Sequence, residues 1–229
     1  MADATKRRTV LILRAVLNCA LVIVFFGLSL FVPAGTLGYW NAWLFLGLFD
    51  ASFLTILVYV IFRDPVYAEK RFRGNEAEKP QRVVMSLLVA SSITSFITAG
   101  LDHRFRWSTV PLAVVLLSAA LIVAGFIMLF FVMRQNSYAS RVVEIQEDQK
   151  VIDSGFYAIV RHPMYLAFSV IFVGTPILLG SWYAVAPAVL IPLLLTFRIR
   201  NEEKVLIEGL QGYKGYVKKV RYRLVPYLW

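Results

Sequence analysis

Charge is scarce in this chain. Of its 229 residues only 17% are Asp, Glu, Lys or Arg, and acids are the scarcer sign, 14 against 24 bases. A soluble protein of this length needs more charged surface than that. Cysteine is almost missing. Cys19 stands alone inside an apolar run, which excludes an intramolecular disulfide and leaves a buried thiol as its ordinary role. The only histidines, His103 and His162, have no acidic cluster at ligand spacing, which argues against a metal site. There is no zinc-finger spacing, no phosphate-cradling glycine loop, no nucleophile–base pair, no internal repeat and no low-complexity segment. The net charge of +10 therefore does not point to nucleic acid, because the bases lie between apolar runs, as in the cytoplasmic loops of membrane proteins.

What the chain has in abundance is apolar sequence, 59% of it, in runs long enough to cross a bilayer. Spans are expected over residues 10–32, 39–62, 83–101 and 108–133. Two shorter runs, 163–179 and 182–197, are split by Gly180-Ser181 and read as a helical hairpin. Lys6-Arg7-Arg8 before the first run imitates a signal peptide, but the run is too long for one and reads as a retained span. Six spans place both ends on one side. Four bases then lie before residue 15, six in the loop 63–82, four in 134–161 and eight in the tail, and only Arg104 and Arg106 fall opposite. That bias puts both termini in the cytoplasm, with Trp40, Trp43, Trp107 and Trp182 at the outer interface. A re-entrant hairpin is the alternative, and it leaves the tail on the same side. The two short β-branched stretches 141–145 and 149–152 are candidates for a loose strand pair. In the tail, Leu206, Leu210, Tyr213, Val217 and Val220 recur at steps of four, three, four and three, one stripe of an amphipathic helix. Such a helix lies on the inner leaflet or covers a cytoplasmic site. The expected fold is an all-α integral membrane protein of about six transmembrane helices, the last two a hairpin, plus a cytoplasmic amphipathic C-terminal helix. Residues 1–133 would form a lipid- and substrate-facing bundle and 134–229 a catalytic region.

The most informative stretch is Ser154-Gly155-Phe156-Tyr157-Ala158-Ile159-Val160-Arg161-His162-Pro163-Met164-Tyr165. Pro163 suits the first turn of a helix, which sets Arg161 and His162 at its N-terminus, where free N–H groups and the helix dipole attract anions. Gly155 permits a turn, and Tyr157 and Tyr165 add aromatic faces with polar tips. The whole reads as a helix mouth for a small ligand carrying charge and a ring, set against the simpler role of headgroup anchoring. Arg198 and Glu202 are four apart and share a helix face, with Glu203 beside them. An ordinary ion pair is one reading. The other is an arginine gripping an anionic group of a lipid-like substrate, with a glutamate for an ammonium or a ribose hydroxyl. Asp50 falls mid-span, where a hydrogen bond inside the bundle is favoured over a substrate role. Ser91, Ser95 and Thr98 share one face of the third span and suit helix packing, and His103 suits the interface.

Together these residues resemble the isoprenylcysteine carboxyl methyltransferase family of integral membrane enzymes. The likeness is carried by two blocks. The first is Gly155-x-Tyr157 followed by Arg161-His162-Pro163-x-Tyr165. The second is Arg198-x-x-x-Glu202-Glu203-x-x-Leu206 followed by Leu210-x-x-Tyr213-x-x-Tyr216. It covers about residues 142–226, and the first four spans match only as generic membrane helices. The resemblance implies S-adenosylmethionine as methyl donor at the cytoplasmic face. Gln149, Lys150, Val151, Ile152, Tyr157, His162, Pro163, Met164, Tyr165 and Glu202 would contact it. Arg198 would hold the acceptor's carboxylate, with Arg198 and Glu203 the candidate catalytic residues. Ala167 departs from the family's usual glycine, and its methyl would narrow a helix approach.

The chemistry agrees. A helix N-terminus with His162 suits the donor's carboxylate, and tyrosines suit its ring or sulfonium. A carboxylate acceptor is already ionised, so its methylation needs alignment rather than a base, whereas an amine or thiol would press His162 or Glu203 into that role. The expected partners are a lipophilic or lipidated acceptor and membrane lipids, in the cell inner membrane or endoplasmic reticulum, with no nucleic acid. The rivals are a phospholipid N-methyltransferase, a membrane reductase using NADPH, and a non-enzymatic transport or assembly protein.

Overall fold

The structure, a computed structural model, describes residues 2–63, 79–136, 138, 145–146 and 148–229, with backbone only for 2–9 and 79–80. The basic loop 64–78 and residues 141–144 of the expected strand pair lie outside the described residues.

Seven α-helices are present among the described residues, with no strand. They are α1 (Ala2–Ala34), α2 (Trp40–Arg63), α3 (Lys79–Phe105), α4 (Leu112–Gln135), α5 (Pro163–Leu178), α6 (Val185–Gly209) and α7 (Tyr213–Lys219). A 3-10 turn, Gly155–Ala158, precedes α5. Neighbours pack in the order α1–α2–α4–α5–α6–α3 and back to α1, so six helices close into a ring. The stretches Val10–Ala34, Trp40–Arg63, Gln81–Phe105 and Leu112–Gln135 have the length and composition of membrane spans, while α5 is apolar but shorter.

Apolar burial drives little helix association in a bilayer, so close packing must hold the ring. Phe26 of α1 meets Phe45 and Phe49 of α2 and Phe96 of α3 edge-on at 5.0–5.5 Å, and Phe49 meets Phe126 of α4 at 5.4 Å. Such edge-to-face pairs contribute about 0.5–1.5 kcal/mol each beyond the area they bury. At Gly100, α3 lies so close to α1 that a Cβ there would meet the Leu30 carbonyl at 2.7 Å. Ser91 and Ser95 donate across to α6, to the carbonyls of Pro187 (2.5 Å) and Ala184 (2.8 Å), the packing role expected of them.

One end of the ring is tied by a buried acid that the sequence reading left as mere loop. Asp102, at the end of α3, accepts from Ser108 N (2.7 Å), Ser108 Oγ (2.6 Å) and Ser181 Oγ (2.5 Å). It thereby joins the α3–α4 and α5–α6 connections. Tyr39 and Asn41 of the α1–α2 side donate to the last carbonyls of the α5 segment, Leu179 and Leu178. His103 stacks on Tyr39 at 4.0 Å. Trp40, Trp43, Trp107 and Trp182 all gather at this end, 45–53% exposed.

Three expectations change. Gln149–Ile152 forms no strand: the chain turns at 146–149, where the Gln149 side chain takes the Gln146 N–H (2.9 Å) and Asp148 adopts φ 57°, but no ladder follows. The tail is not one amphipathic helix. The predicted stripe does pack together, but α6 ends at Gly209 and α7 begins after Gly212, whose φ of 86° breaks the helix. Asp50 Oδ1 is buried with no hydrogen-bond partner, so the bond expected for it inside the bundle is not formed there.

Candidate functional site

At the opposite end of the ring, α5 begins and α6 runs on beyond its apolar half. Gly155 takes φ 56°, and a Cβ there would collide with the Gln135 amide, so the turn into the mouth demands glycine. Pro163 opens α5 at its first position, with His162 as the residue that precedes it. The tail folds back onto this mouth: Arg161 N–H donates to the Tyr222 carbonyl and His162 N–H to the Arg223 carbonyl, both at 2.9 Å. Backbone groups at the mouth are thus satisfied by a segment 61 residues further along.

Beneath the mouth lies Glu203, 3% exposed. Arg161 Nε stands 3.0 Å from its Oε1, His162 Nε2 3.4 Å from the same oxygen, and Arg223 Nε donates to Oε2 at 2.7 Å. Burial by itself pushes this carboxyl up. The hydrogen bonds from His162 and Arg223 and the nearby charges, Arg161 among them, outweigh that and hold it below the usual range. The carboxylate is thus engaged by three basic side chains at once.

A second chain of contacts runs beside it. Tyr165 OH donates to Glu202 Oε2 (2.6 Å) and accepts from Arg198 Nε (2.9 Å), while Arg198 Nη1 donates to Gln81 Oε1 (3.2 Å). His162 Nδ1 lies 3.8 Å from Glu202 Oε1, so both ring nitrogens of His162 face carboxylates.

These groups border one cavity. Every candidate from the two blocks is on its wall except Glu203: Gln149 to Ile152, Tyr157, His162 to Tyr165, Arg198 and Glu202 all line it. Glu203 sits behind, holding the cations that shape the wall. Ala167 is fully buried in the core and is not on the wall.

Sequence reading missed several contributors. Asn136 donates to Tyr157 OH at 2.9 Å, and Tyr216 OH to the Tyr157 carbonyl at 2.7 Å. Tyr213 also lines the cavity, its hydroxyl buried without a hydrogen-bond partner, as is Arg161 Nη1. Burial, reinforced by neighbouring acids, raises both phenols, so they remain donors. The two tyrosines stood in the second block and were legible as a pair. Gln81 and Arg223 carried no signal in the sequence.

Chemically the cavity combines cations, a free-edged carboxylate and phenols around a space with no nucleophile. Among the described residues no three His, Cys, Asp or Glu side chains gather as a metal site.

A ring of apolar helices, four of them with stretches long and apolar enough to cross a bilayer, with such a cavity at one end, is the build of an integral membrane protein. Residues 116–208 match the family model described as the isoprenylcysteine carboxyl methyltransferase family, whose members are membrane carboxyl methyltransferases. The solved structure of the eukaryotic intramembrane Ras methyltransferase isoprenylcysteine carboxyl methyltransferase, without a monobody, shares the fold. Identity is 17%, 96% of this chain and 86% of that one are covered, and the TM-score is 0.53. No curated protein matches the chain. The matched region covers about two fifths of the chain and holds both Arg161-His162-Pro163 and Arg198 to Glu203, and the likeness to the solved structure is one of fold.

Proposed function

We propose that the chain transfers a methyl group from S-adenosylmethionine to the carboxylate of a lipophilic, isoprenylcysteine-like acceptor. The observation that carries this reading is the Arg198 guanidinium, on the cavity wall and joined through Tyr165 OH to Glu202. A planar fork is thereby set near a carboxylate that suits a cationic ligand group.

The residues present fit the donor. It carries an ammonium, a carboxylate, a ring and a sulfonium. The wall offers Glu202 for the ammonium, phenols for the ring or the cation, and the unpaired Arg161 Nη1 and Tyr213 hydroxyl for an anion. When bound, S-adenosylmethionine supplies an electrophilic methyl. The protein's own task is then positional: Arg198 holds the acceptor oxygens, Tyr165 fixes Arg198 relative to Glu202, and the mouth excludes water. No base is required, in keeping with the tied-down Glu203.

Both termini and the cavity face the cytoplasm in this reading, which the basic residues and the gathered tryptophans support. The hairpin of α5 and the apolar half of α6 completes six crossings. Residues 134–229 carry the donor site, residues 1–133 form the bundle, and the acceptor's apolar part reaches the cavity sideways from the bilayer.

Two measurements test this. Calorimetry with S-adenosylhomocysteine on purified protein should show binding that His162→Ala and Tyr165→Ala weaken. Single-turnover assays should show transfer to a prenylcysteine acid and none to its amide. Transfer to a lipid amine instead would replace the carboxylate reading with that of an N-methyltransferase.

A further inference from the structure

Two residues of the cavity wall carry a polar atom that is sealed from solvent and bonded to nothing: Nη1 of Arg161 and the hydroxyl of Tyr213. Arg161 is 6% exposed and Tyr213 4%. A buried donor without an acceptor is destabilising, so two of them around one cavity call for a physical reason. The other phenols of the wall are engaged. Tyr165 OH donates to Glu202, Tyr216 OH to the Tyr157 carbonyl and Tyr138 OH to the Asp148 carbonyl, while Tyr157 OH accepts from Asn136. The backbone of the mouth offers little to an anion. The N–H groups of Arg161 and His162 donate to the tail, and Pro163 has none.

Charge at this place is unbalanced in the same direction. Arg161 and Arg223 bring two permanent cations to the single carboxylate of Glu203. Arg223 reaches water, its side chain 37% exposed and set over the Trp229 ring at 5.2 Å, whereas the Arg161 side chain is buried. The surplus positive charge therefore lies in the interior at Arg161, where it needs a counter-ion. Lys150 also borders the cavity, but it is exposed and its ammonium keeps its water. Arg161 and Tyr213 act on each other. Burial, with Glu203 and Glu202, pushes the Tyr213 phenol up, and the Arg161 charge draws it part of the way back. The phenol stays protonated and so remains a donor.

We propose that Arg161 and Tyr213 together hold the amino-acid carboxylate of the methyl donor. This rests on the S-adenosylmethionine reading and assigns one end of that ligand to two residues. Arg161 supplies the charge and Tyr213 a hydroxyl hydrogen, so a carboxylate there satisfies both lone donors at once. An α-amino acid carries its ammonium and its carboxylate on one carbon. Its site needs an acid beside the cation, and Glu202 lies on the same wall.

The test compares two ligands on the full chain. One is S-adenosylhomocysteine. The other is its decarboxylated form, S-adenosyl-3-thiopropylamine, which keeps the adenine, ribose, sulfur and ammonium. Tyr213→Phe removes the hydroxyl alone. It should weaken S-adenosylhomocysteine about tenfold and leave the decarboxylated ligand within twofold of its wild-type affinity. Calorimetry reads the first, and competition against S-adenosylhomocysteine reads the second. Without ligand the variant should melt no lower than wild type, because the hydroxyl it loses had no partner. Arg161→Lys keeps a charge for Glu203 and should show the same selective loss. If it does not purify, Tyr213→Phe decides alone. Equal losses for the two ligands, unchanged S-adenosylhomocysteine affinity, or a melting temperature that falls in step with affinity would overturn the proposal. Wild-type protein that binds neither ligand would refute the underlying donor reading instead.

Discussion

Arg198 carries the most weight of any single side chain, and lysine is the substitution that tests why. Lysine keeps the charge but has no planar fork, and it cannot hold Tyr165, Gln81 and a ligand carboxylate at once. Arg198→Lys should retain S-adenosylhomocysteine affinity and lose at least about tenfold in single-turnover transfer at saturating donor. Glu203 makes a different prediction. Its carboxyl is held below the ordinary range in the folded protein, so the unfolded chain binds its proton first as pH falls. Its contribution to stability is therefore complete above the ordinary glutamate value of about 4.3 and is lost as pH drops through the lower folded value. Melting in detergent should show wild type losing stability in that acidic window. Glu203→Gln should begin lower at neutral pH, by about 3–5 kcal/mol for a broken buried ion cluster, with a flatter acid limb.

At the scale of elements, the sharpest feature is the break between α6 and α7. Gly212 at φ 86° turns the chain so that Tyr213 and Tyr216 reach the cavity. An alanine in that left-handed conformation costs about 1–2 kcal/mol. Gly212→Ala should lower the melting temperature and weaken S-adenosylhomocysteine binding, because relief of strain means straightening α6 into α7 and withdrawing both phenols. Unchanged donor affinity would show that the break does not position them. The same element shows where sequence reading stopped. The apolar stripe from Leu206 to Val220 was visible and its members do cluster, but periodicity reports which residues share a face and not whether the helix is continuous. The mouth was more readable, since Pro163 and Gly155 impose their geometry through local sterics alone. Gln81, Arg223 and Asp102 were not, because each acquires its role from a partner 20 to 117 residues away that leaves no local pattern.

The whole molecule divides into two polar ends joined by apolar helices. Twenty-two of the 24 bases belong to one side under the six-span arrangement, and four of the five tryptophans to the other. In protein lacking Cys19, an impermeant maleimide applied to intact cells should label a cysteine at Arg106 and leave one at Tyr227 untouched. The reverse pattern would invert the protein and move the cavity out of the cytoplasm. Composition was enough to reveal a membrane protein here, because the bilayer leaves helices as the simplest way to satisfy every backbone group. It was not enough to reveal a closed ring, which depends on close approaches such as Gly100 against Leu30 that apolar periodicity does not encode.

The backbone clip between residues 161–162 and 222–223 has a consequence for biogenesis. Arg161 and His162 leave the ribosome 41 residues ahead of Glu203 for the histidine alone, and further ahead of Arg223. At ordinary elongation rates that is about 2–8 s in which the first half of the site has no counter-charge and no lid. Maturation of the cavity thus waits on the synthesis of residues 222–223. A nascent protein already threaded through the membrane has an unfinished mouth until its tail docks.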